Sequence, residues 1–524
     1  MAINQLQHAH GLLVYPSDVY TLSYQFNSTT QSSNLYVGTG GNIRVLTAGG
    51  DDITFYNVQS GSFLPVHASK VFLTGTTASN ILAMDMNLTG GGMNQETFAY
   101  LSATGITGDT EVSAINTLVS SLKLNGLWSK MKAVYPFVTD NRNLLGYTED
   151  FGNAVWSKGD TTTTNNATTA PNGTTTADKI EENTNTSFHF VSFATGLMSL
   201  TNNYTLTCYA KASQRTWCSV YLYDGSTSYQ TFFDLANGAI GTIGSGMTAS
   251  IESAGNGWYR CRVSRNITGS GSANGGILTA TGNNQSNYAG TNGSGIFVWG
   301  AQLELGSTAT TYQPIATTQQ SYISNQFKYN LVNPIDSDAA FRLVFNGGWT
   351  MSNQGATPNG TNAWGDTKLP NNTMSQNSMT MCTYLRTDTL LTTGDLGVWS
   401  GGFGSIIYSR DGLGFFTGIN NSTTTNRVSV LNSNSLGFFL NKRTSATEIV
   451  LQKNATQTTL ASNSQNLLTS NFIIGRTGDY TAGEYSNRQT AFVGIGDGIS
   501  NSEATALYNA VQTFNSSLNR AVAP

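Results

Sequence analysis

The amino-acid sequence predicts a mainly β protein, with a small N-terminal β domain, two β-sandwich domains, a short helical segment and a C-terminal helix. Three observations carry this prediction. Only 10% of the 524 residues are charged, against roughly 25% in ordinary globular proteins. Thr, Tyr, Phe and Val, which favour strands, alternate with the Gly and Asn that tight turns require. Apolar runs of strand length recur at short intervals over most of the chain.

The composition also excludes several classes of partner. The net charge is −4 and no Lys/Arg cluster is present, so we expect no nucleic-acid binding, which needs clustered cations. No run of about 18 apolar residues occurs, so no membrane insertion is expected. The N-terminus, MAINQLQHAHGLLVYPS, has no basic start followed by an apolar stretch and is not expected to be a signal peptide.

Cysteine spacing indicates neither a metal site nor a disulfide framework. The four cysteines, Cys208, Cys218, Cys261 and Cys382, form no CxxC or metal-ligand spacing. Cys208, Cys218 and Cys261 fall on predicted strands within residues 140–316. On a strand, a free cysteine usually serves as a small buried hydrophobic residue. A disulfide from Cys261 to Cys208 or to Cys218 is the alternative.

The N-terminal domain, residues 1–86, begins its regular structure with a hairpin. Asn42–Leu46 and Ile53–Val58 are predicted strands joined by AGGDD, in which glycine tolerates the positive φ of a tight turn. Further strands are predicted at Pro65–His67, Lys70–Thr74 and Ile81–Met84. A domain of this size buries little surface alone, so we expect it to pack against copies of itself or a partner.

The segment GGNIRVLTAGGDDITFYNVQSGSFLPVHASKVFLTGTTASNILAM, Gly40–Met84, resembles the short spike-base proteins found with tailed-phage genomes and gene transfer agents. It is similar in its glycine–strand–turn–strand order, followed by LPV and TGTTA. In that family the module anchors a spike to the capsid. The resemblance implies contact with capsid protein through the N-terminal domain, and a homo-oligomer that is pentameric at a capsid vertex or trimeric, as is usual for fibres.

Residues 93–139 are predicted to be a helical prelude that belongs to the C-terminal sandwich. Asn94–Ser102 can cap and form one or two helical turns. A longer helix, Asp109–Asn125, has one apolar stripe at three- and four-residue spacing, formed by Ile115, Leu118, Val119 and Leu122. A shorter amphipathic helix is predicted before Pro136, with Leu127, Trp128, Met131 and Val134. We interpret the stripe as packing against a sheet.

Residues 140–316 are predicted to be an inserted β-sandwich. A Thr/Asn-rich loop, Thr161–Thr176, precedes seven strands: Tyr204–Ala212, Cys218–Tyr223, Tyr229–Asp234, Thr248–Glu252, Gly257–Val263, Gly276–Thr279 and Gly295–Leu303. Their spacing and turn signals indicate a jelly roll. The pieces NLLGYTEDFGNAVW, TTTADKI, YTLTCYAKA, FDLANGAIGT, AGNGWYRCRV and IFVWGAQLELGSTATTYQP resemble the carbohydrate-binding-module-like sandwich of phage tail and head fibre proteins.

Residues 317–524 are predicted to form a second sandwich that ends in a helix. Asp336–Thr350 is its predicted first strand, Gly355–Asp366 a loop, and Ser500 with Glu503 a capping box that starts the helix. Later strands are predicted at Ser378–Arg386, Gly397–Ser400, Ser405–Ser409, Gly412–Ile419, Arg427–Val430, Gly437–Arg443, Ala446–Leu451, Asn471–Gly475 and Gln489–Gly496.

Four segments, SAINTLVSSLKLNGLWSKMKAVYPF, DAAFRLVFNGGW, ATPNGTNAW and FVGIGDGISNSEATALYNAVQTF, resemble the concanavalin-A-like, lectin-like sandwich of phage fibre and receptor-binding proteins. The first segment precedes residues 140–316 and the other three follow them. We therefore interpret the middle block as an insertion, which surface loops tolerate.

No catalytic residues are predicted. Glycoside hydrolysis needs two carboxylates flanking the sugar bond, and enzymes of this sandwich class place Glu and Asp two residues apart on one strand. The sequence has no Glu-x-Asp. Asp109 and Glu111 open a predicted helix, and the adjacent Glu181 and Glu182 would point to opposite faces of a strand. The chain is therefore predicted not to be an enzyme.

No cofactor or metal site is predicted either. His8 and His10 would form a metal site only if copies of the chain met at a symmetry axis. Asp366, Asp388 and Asp395 are isolated and make no calcium-loop motif.

Sugar binding by stacking requires exposed aromatic rings. Trp217, Tyr221 and Tyr223 alternate along one face of a predicted strand, and Trp364 lies in the predicted loop Gly355–Asp366. These four are the predicted glycan-binding residues, with ordinary packing as the alternative. Trp258 and Trp299, which lie in strand motifs of the inserted block, are predicted to be core.

The resemblances together identify a bacteriophage virion protein, a head (vertex) spike or fibre on the capsid surface that is assembled in the host cytoplasm. Its expected role is adhesion to host-surface polysaccharide. The alternatives are a tail fibre or receptor-binding protein, a polysaccharide depolymerase, and a purely structural role without a ligand.

Overall fold

The computed structural model describes residues 10–19, 21–22, 33–85, 93–269, 272–423, 426–476 and 484–523. With 45% strand and 13% helix, the predicted mainly β class is confirmed. The chain divides into two compact units. Unit 1 comprises Met1–Asp140 and Ser324–Pro524, and unit 2 comprises Asn141–Ile323. The finer division into four domains stays a prediction, and the predicted role of His8 lies outside the described residues.

Unit 1 begins with a six-stranded antiparallel sheet. Its strands are β1 His10–Leu13, β2 Ser33–Thr39, β3 Gly41–Thr47, β4 Asp52–Val58, β5 Ser62–Val71 and β6 Ser79–Asp85. Their spatial order is β1–β6–β2–β5–β3–β4. The predicted hairpin is confirmed, with Leu46 opposite Asp52. The strand predicted at Pro65–His67 and the start of the one predicted at Lys70–Thr74 are one strand, β5, which ends at Val71. Neither Gly nor Pro separates them.

Two helices and a strand follow, α1 Gln95–Thr104, α2 Asp109–Leu124 and β7 Met131–Tyr135. The apolar stripe of α2 is buried, as predicted. The prediction of a second amphipathic helix is wrong. Trp128–Lys130 is one 3-10 turn, and Met131–Tyr135 pairs with the strand Thr490–Gly496. A short apolar run fits both helical and strand periods, and here a partner strand decides between them.

Unit 2 is a sandwich of two six-stranded antiparallel sheets. Its strands are β8 Trp156–Gly159, β9 Thr161–Thr168, β10 Ala177–Glu182, β11 Thr186–Phe188, β12 Phe190–Phe193, β13 Asn203–Ala212, β14 Trp217–Tyr223, β15 Ser228–Asp234, β16 Ala239–Ile240, β17 Thr248–Gly255, β18 Trp258–Asn266, β19 Asn274–Ala280, β20 Asn287–Ala289 and β21 Gly295–Leu305. One sheet has the order β17–β18–β13–β21–β10–β9 and the other β16–β15–β14–β19–β12–β8, while β11 and β20 form a separate pair.

All seven strands predicted in the inserted block are present. The loop predicted at Thr161–Thr176 is wrong in its first half, where β9 forms because β-branched threonine favours a pleated strand. Cys208, Cys218 and Cys261 are buried and free, although Cys208 stands directly opposite Cys261 in the ladder. They pack in the apolar core between the sheets.

The remainder of unit 1 is a larger sandwich with a terminal helix. Its elements are α3 Gln319–Phe327, which begins in unit 2, β22 Val344–Asn346, β23 Trp349–Ser352, β24 Gly355–Pro358, β25 Trp364–Pro370, β26 Met379–Leu385, β27 Leu396–Ser400, β28 Phe403–Tyr408, β29 Phe415–Thr423, β30 Val428–Leu431, β31 Gly437–Arg443, β32 Glu448–Lys453, β33 Thr456–Ala461, β34 Asn471–Ile474, β35 Thr490–Gly496 and α4 Asn501–Ser517. The sheet orders are β22–β25–β34–β27–β28–β29–β30 and β23–β24–β35–β26–β31–β32–β33, with β7 on β35.

The structure corrects three predictions in this sandwich. Asp336–Thr350 is not one strand, because Phe341 (φ 59°) and Gly347 (φ 73°) adopt left-handed backbone that interrupts it. The loop predicted at Gly355–Asp366 is largely strand, since β24 and β25 occupy both of its ends. The strand predicted from Gly412 begins only at Phe415. The capping box of Ser500 and Glu503 is confirmed at the start of α4.

Candidate functional site

Strand β14 carries three of the four predicted glycan-binding residues on one face. Cys218, Val220 and Leu222 point into the core of unit 2, so the alternating residues point to the outer side of the sheet. These are Ser219 and the three aromatic residues Trp217, Tyr221 and Tyr223. We call this surface the aromatic face, defined by these three side chains together with Phe190 of β12 and Gln230 of β15.

Tyr221 forms the floor of the aromatic face. It lies opposite Gln230 on β15 and Gly276 on β19, and Phe190 packs edge-to-face on it with ring centroids 6.4 Å apart. A Cβ on Gly276 would come within 2.1 Å of the Val191 carbonyl oxygen and 3.0 Å of the Tyr221 ring, so glycine allows the close approach of β12 and of the ring. Only 9% of Tyr221 is exposed, and this burial raises the pKa of its phenol.

Trp217 and Tyr223 are half-buried, and they flank Tyr221 along the strand. They are six residues apart, which corresponds to about 20 Å along a strand. The Trp217 ring packs closely on the segment after β16, because a Cβ on Gly241 would approach it to 2.8 Å. Asn283 fastens that segment by accepting a 2.7 Å hydrogen bond from the Thr242 amide.

The polar groups of the aromatic face are mostly uncharged. Ser286 donates a 2.8 Å hydrogen bond to Oε1 of Gln230, which orients the Gln230 amide beside Tyr221. Asp234, opposite Trp217, accepts hydrogen bonds from the Ala236 amide and the Asn237 side chain. Aromatic rings bordered by amides and hydroxyls can stack on a sugar and hydrogen-bond its hydroxyls.

Trp364, the fourth predicted residue, belongs to unit 1. It begins β25, pairs with Asn346 in the ladder and is half-buried. The guanidinium of Arg476 lies 5.8 Å from the centre of its ring. Trp364 therefore stands on a strand rather than in an open loop, and the assignment of all four residues as glycan contacts stays a prediction.

Trp258 and Trp299 are core residues, as predicted. They are 1% and 4% exposed and cluster with Ala170 and Ala177 on the outer side of the other sheet. Each indole N–H has an acceptor, the Thr169 carbonyl at 3.0 Å and the Thr176 hydroxyl at 2.9 Å. The turn between β9 and β10 thus covers both rings.

Sequence reasoning missed a buried polar cluster at the end of β10. Glu182 accepts hydrogen bonds from Arg215, Tyr288 and the Thr291 amide. Burial opposes ionisation of Glu182, but these donors outweigh it and lower its pKa. Glu181 points the other way and pairs with Lys179, as expected for adjacent strand residues. Because Glu182 is fully enclosed, the cluster stabilises the sandwich and does not line an open site.

Among the described residues, no group of three or more His, Cys, Asp or Glu side chains could hold a metal ion. None of the helices that the structure describes is long and apolar enough to cross a bilayer.

No protein-family model and no curated protein matches the sequence. Solved structures match weakly. Trypanosoma rangeli sialidase in complex with sialic acid has 10% identity and a TM-score of 0.27, over 63% of this chain and 60% of the sialidase. The N-terminal CBM22 tandem domain of Paenibacillus barcinonensis Xyn10C has 9% identity and a TM-score of 0.21, over 69% and 99%. Domains LG4-5 of the mouse laminin alpha1 chain have 8% identity and a TM-score of 0.18, over 58% and 84%.

The prediction that the chain is not an enzyme is wrong as it stands, because an enzyme, the sialidase, is among these matches. The prediction considered only carboxylates close together in sequence, whereas a fold can bring distant carboxylates to one site. At this level of similarity the match assigns no activity to the chain.

Proposed function

We propose that this chain is an adhesion protein that binds glycans through the aromatic face of unit 2. The observation that carries the proposal is the outward alternation of Trp217, Tyr221 and Tyr223, with Gln230 and Phe190 beside them. Packing of these rings in the core of unit 2 would be an alternative explanation for an aromatic strand. Here, however, the core side of β14 is filled by Cys218, Val220 and Leu222.

Replacing Trp217 by alanine tests the proposal. The full chain is applied to an array of bacterial surface polysaccharides, and the affinity for any retained glycan is then measured in solution. Trp217→Ala should weaken binding at least about tenfold, because each 1.4 kcal/mol lost is a factor of ten and buried tryptophans dominate many interfaces. Phe297→Ala, on the outer side of the other sheet, is the matched control. Equal binding by wild type and Trp217→Ala would refute the proposal.

We further propose that the adhesion protein is a spike or fibre of a bacteriophage head. The support is the resemblance of Gly40–Met84 to spike-base proteins and the order of the sandwiches behind it. Immunogold microscopy of whole particles, with antibodies to residues 324–524, tests the location. Label at the capsid vertices would support a head spike. Label on the tail would favour a receptor-binding tail protein instead.

Self-association through the N-terminal sheet belongs to the same proposal. β4 is an edge strand, and the sheet exposes 40% of Ile53, 73% of Tyr56 and 58% of Phe63. An open edge and exposed apolar side chains favour association. Native mass spectrometry of the full chain should give a pentamer or a trimer, and Tyr56→Glu should shift it toward monomer. A wild-type monomer would refute this part of the proposal.

A further inference from the structure

A cavity of about 320 Å³ opens in the C-terminal sandwich of unit 1. Its volume lies at the lower end of the range for small-ligand sites. The loop before β27, the end of β28 with the loop that follows it, and the residue before β30 line it: Thr392, Tyr408, Asp411, Gly412, Leu413 and Arg427.

The loops around the cavity are held by a buried ion pair. Arg488 and Asp395 are 0% and 1% exposed, with Nη1 2.8 Å from Oδ1. Arg488 also donates to the carbonyls of Thr389 and Arg410, and Asp395 accepts from the Ser409 amide at 2.8 Å. The segments that carry Thr392 and Tyr408 are thus fastened to one another. A site on such loops is organised before a ligand arrives.

Gly412 lets the two lining loops approach closely. A Cβ at this position would lie 2.8 Å from Cγ2 of Thr392, so any larger residue would displace the Thr392 side chain or the loop. Asp411 shapes the turn by accepting a 3.0 Å hydrogen bond from the Leu413 amide. Leu413 is 77% exposed and forms an apolar rim next to the polar groups.

Arg427 is the cationic group of the cavity. Its side chain is exposed, and within the part of the chain that the structure describes it has no hydrogen-bond or ion-pair partner. Neighbouring arginines are engaged, Arg410 with Asp388 and Arg488 with Asp395. A guanidinium offers five donors in a planar fork that matches a carboxylate. Arg427 therefore supplies donor capacity that the fold itself does not use.

We propose that this cavity binds a sugar residue that bears one carboxylate. Arg427 holds the carboxylate through paired charge-assisted hydrogen bonds. Tyr408 and Leu413 provide apolar surface for the ring, while Thr392 and Asp411 contact its hydroxyls. The negative charge of Asp411 disfavours a second anionic group, so a hydroxylated monoanion fits better than a polysulfated sugar. The inference rests on the proposed glycan binding but concerns a second site, in the other unit.

Titrating the full chain with D-glucuronate and with D-glucose tests the inference. Binding is measured by isothermal calorimetry and saturation-transfer NMR. Glucuronate should bind the wild type at least about tenfold more tightly than glucose, since charge-assisted hydrogen bonds are stronger than those between neutral groups. Arg427→Gln should abolish this preference, and Arg427→Lys should retain part of it. Arg342→Gln, which removes an exposed arginine paired with Asp336, is the matched control and should bind as the wild type does.

Three results would overturn the inference: no binding of glucuronate by the wild type, equal binding of the two sugars, or undiminished glucuronate binding by Arg427→Gln. Trp217→Ala separates this site from the proposed function. That variant should lose polysaccharide binding at the aromatic face and keep glucuronate binding at Arg427.

Discussion

Replacing Asp395 by alanine should destabilise unit 1 by about 3–5 kcal/mol, the cost of removing one partner of a buried ion pair. Both partners are almost fully enclosed, and Nη1 of Arg488 lies 2.8 and 2.9 Å from the two carboxylate oxygens. Without the carboxylate, the guanidinium keeps its bonds to the Thr389 and Arg410 carbonyls but has no counter-charge. The Ser409 amide also loses its acceptor, and an unsatisfied buried donor alone costs about 1–3 kcal/mol.

The assay is a urea titration read by hydrogen-exchange mass spectrometry, which follows the two units separately. Peptides from β26, Met379–Leu385, should unfold at a lower urea concentration in Asp395→Ala. Peptides from β13, Asn203–Ala212, report on unit 2 and should not change.

A double variant supplies the sharper comparison. Asp395→Leu with Arg488→Met replaces the pair by apolar side chains of similar volume, and such replacements are often neutral or stabilising. The double variant removes the unpaired charge but leaves the Ser409 amide and the Thr389 and Arg410 carbonyls without these partners. It should therefore recover part of the loss. A single variant that costs under about 1 kcal/mol, or a double variant as unstable as the single one, would refute the reasoning.

Two further predictions concern a helix and a carboxyl group. Ser500→Ala removes the hydroxyl that accepts a hydrogen bond from the Glu503 amide, and in urea denaturation it should lower the free energy of unfolding by about 1 kcal/mol. Ser516→Ala, at an exposed position of the same helix, is the control and should change it little. Equal effects of the two variants would contradict the capping role. Burial raises the pKa of Asp178 from 3.8 to about 6, so the folded state holds this proton more tightly and the stability of unit 2 should fall as pH rises from about 4 to 6. The difference in unfolding free energy between wild type and Asp178→Asn should follow that window, and a difference independent of pH would count against it.

Much of unit 2 was predictable because its strands carry their own signals. β13 and β14 are runs of strand-favouring residues that are buried along most of their length, and turn residues separate them. Sequence reasoning missed β8 to β12, β16 and β20. Most of these strands have four residues or fewer, β10 is largely polar and β9 is exposed along most of its length. Their hydrogen bonds to neighbouring strands decide their structure, and that information is not local.

The candidate site was predictable in part for the same reason. Alternation placed Trp217, Tyr221 and Tyr223 on one face, which β14 shows. It could not show that Phe190, from a strand two places away in the sheet, packs on Tyr221. The cavity at Arg427 left no sequence pattern, because Thr392, Tyr408 and Arg427 are far apart in the chain. Strand pairing and the Arg488–Asp395 pair help to bring their segments together.

The course of the chain explains how β7 pairs with a strand more than three hundred residues later. In unit 1, Thr139 donates to the side-chain oxygen of Gln326 and Gln326 donates to Asp140, so the two ends of the interruption lie side by side. In unit 2, the amides of Arg142 and Asn143 donate to the side chain of Gln313, so the first and last segments of that unit also meet. Each unit closes on itself, and the entropy of loop closure grows only slowly with the length between the ends. Forming the β7–β35 ladder across the insertion therefore costs only slightly more loop-closure entropy than forming it across a short loop would.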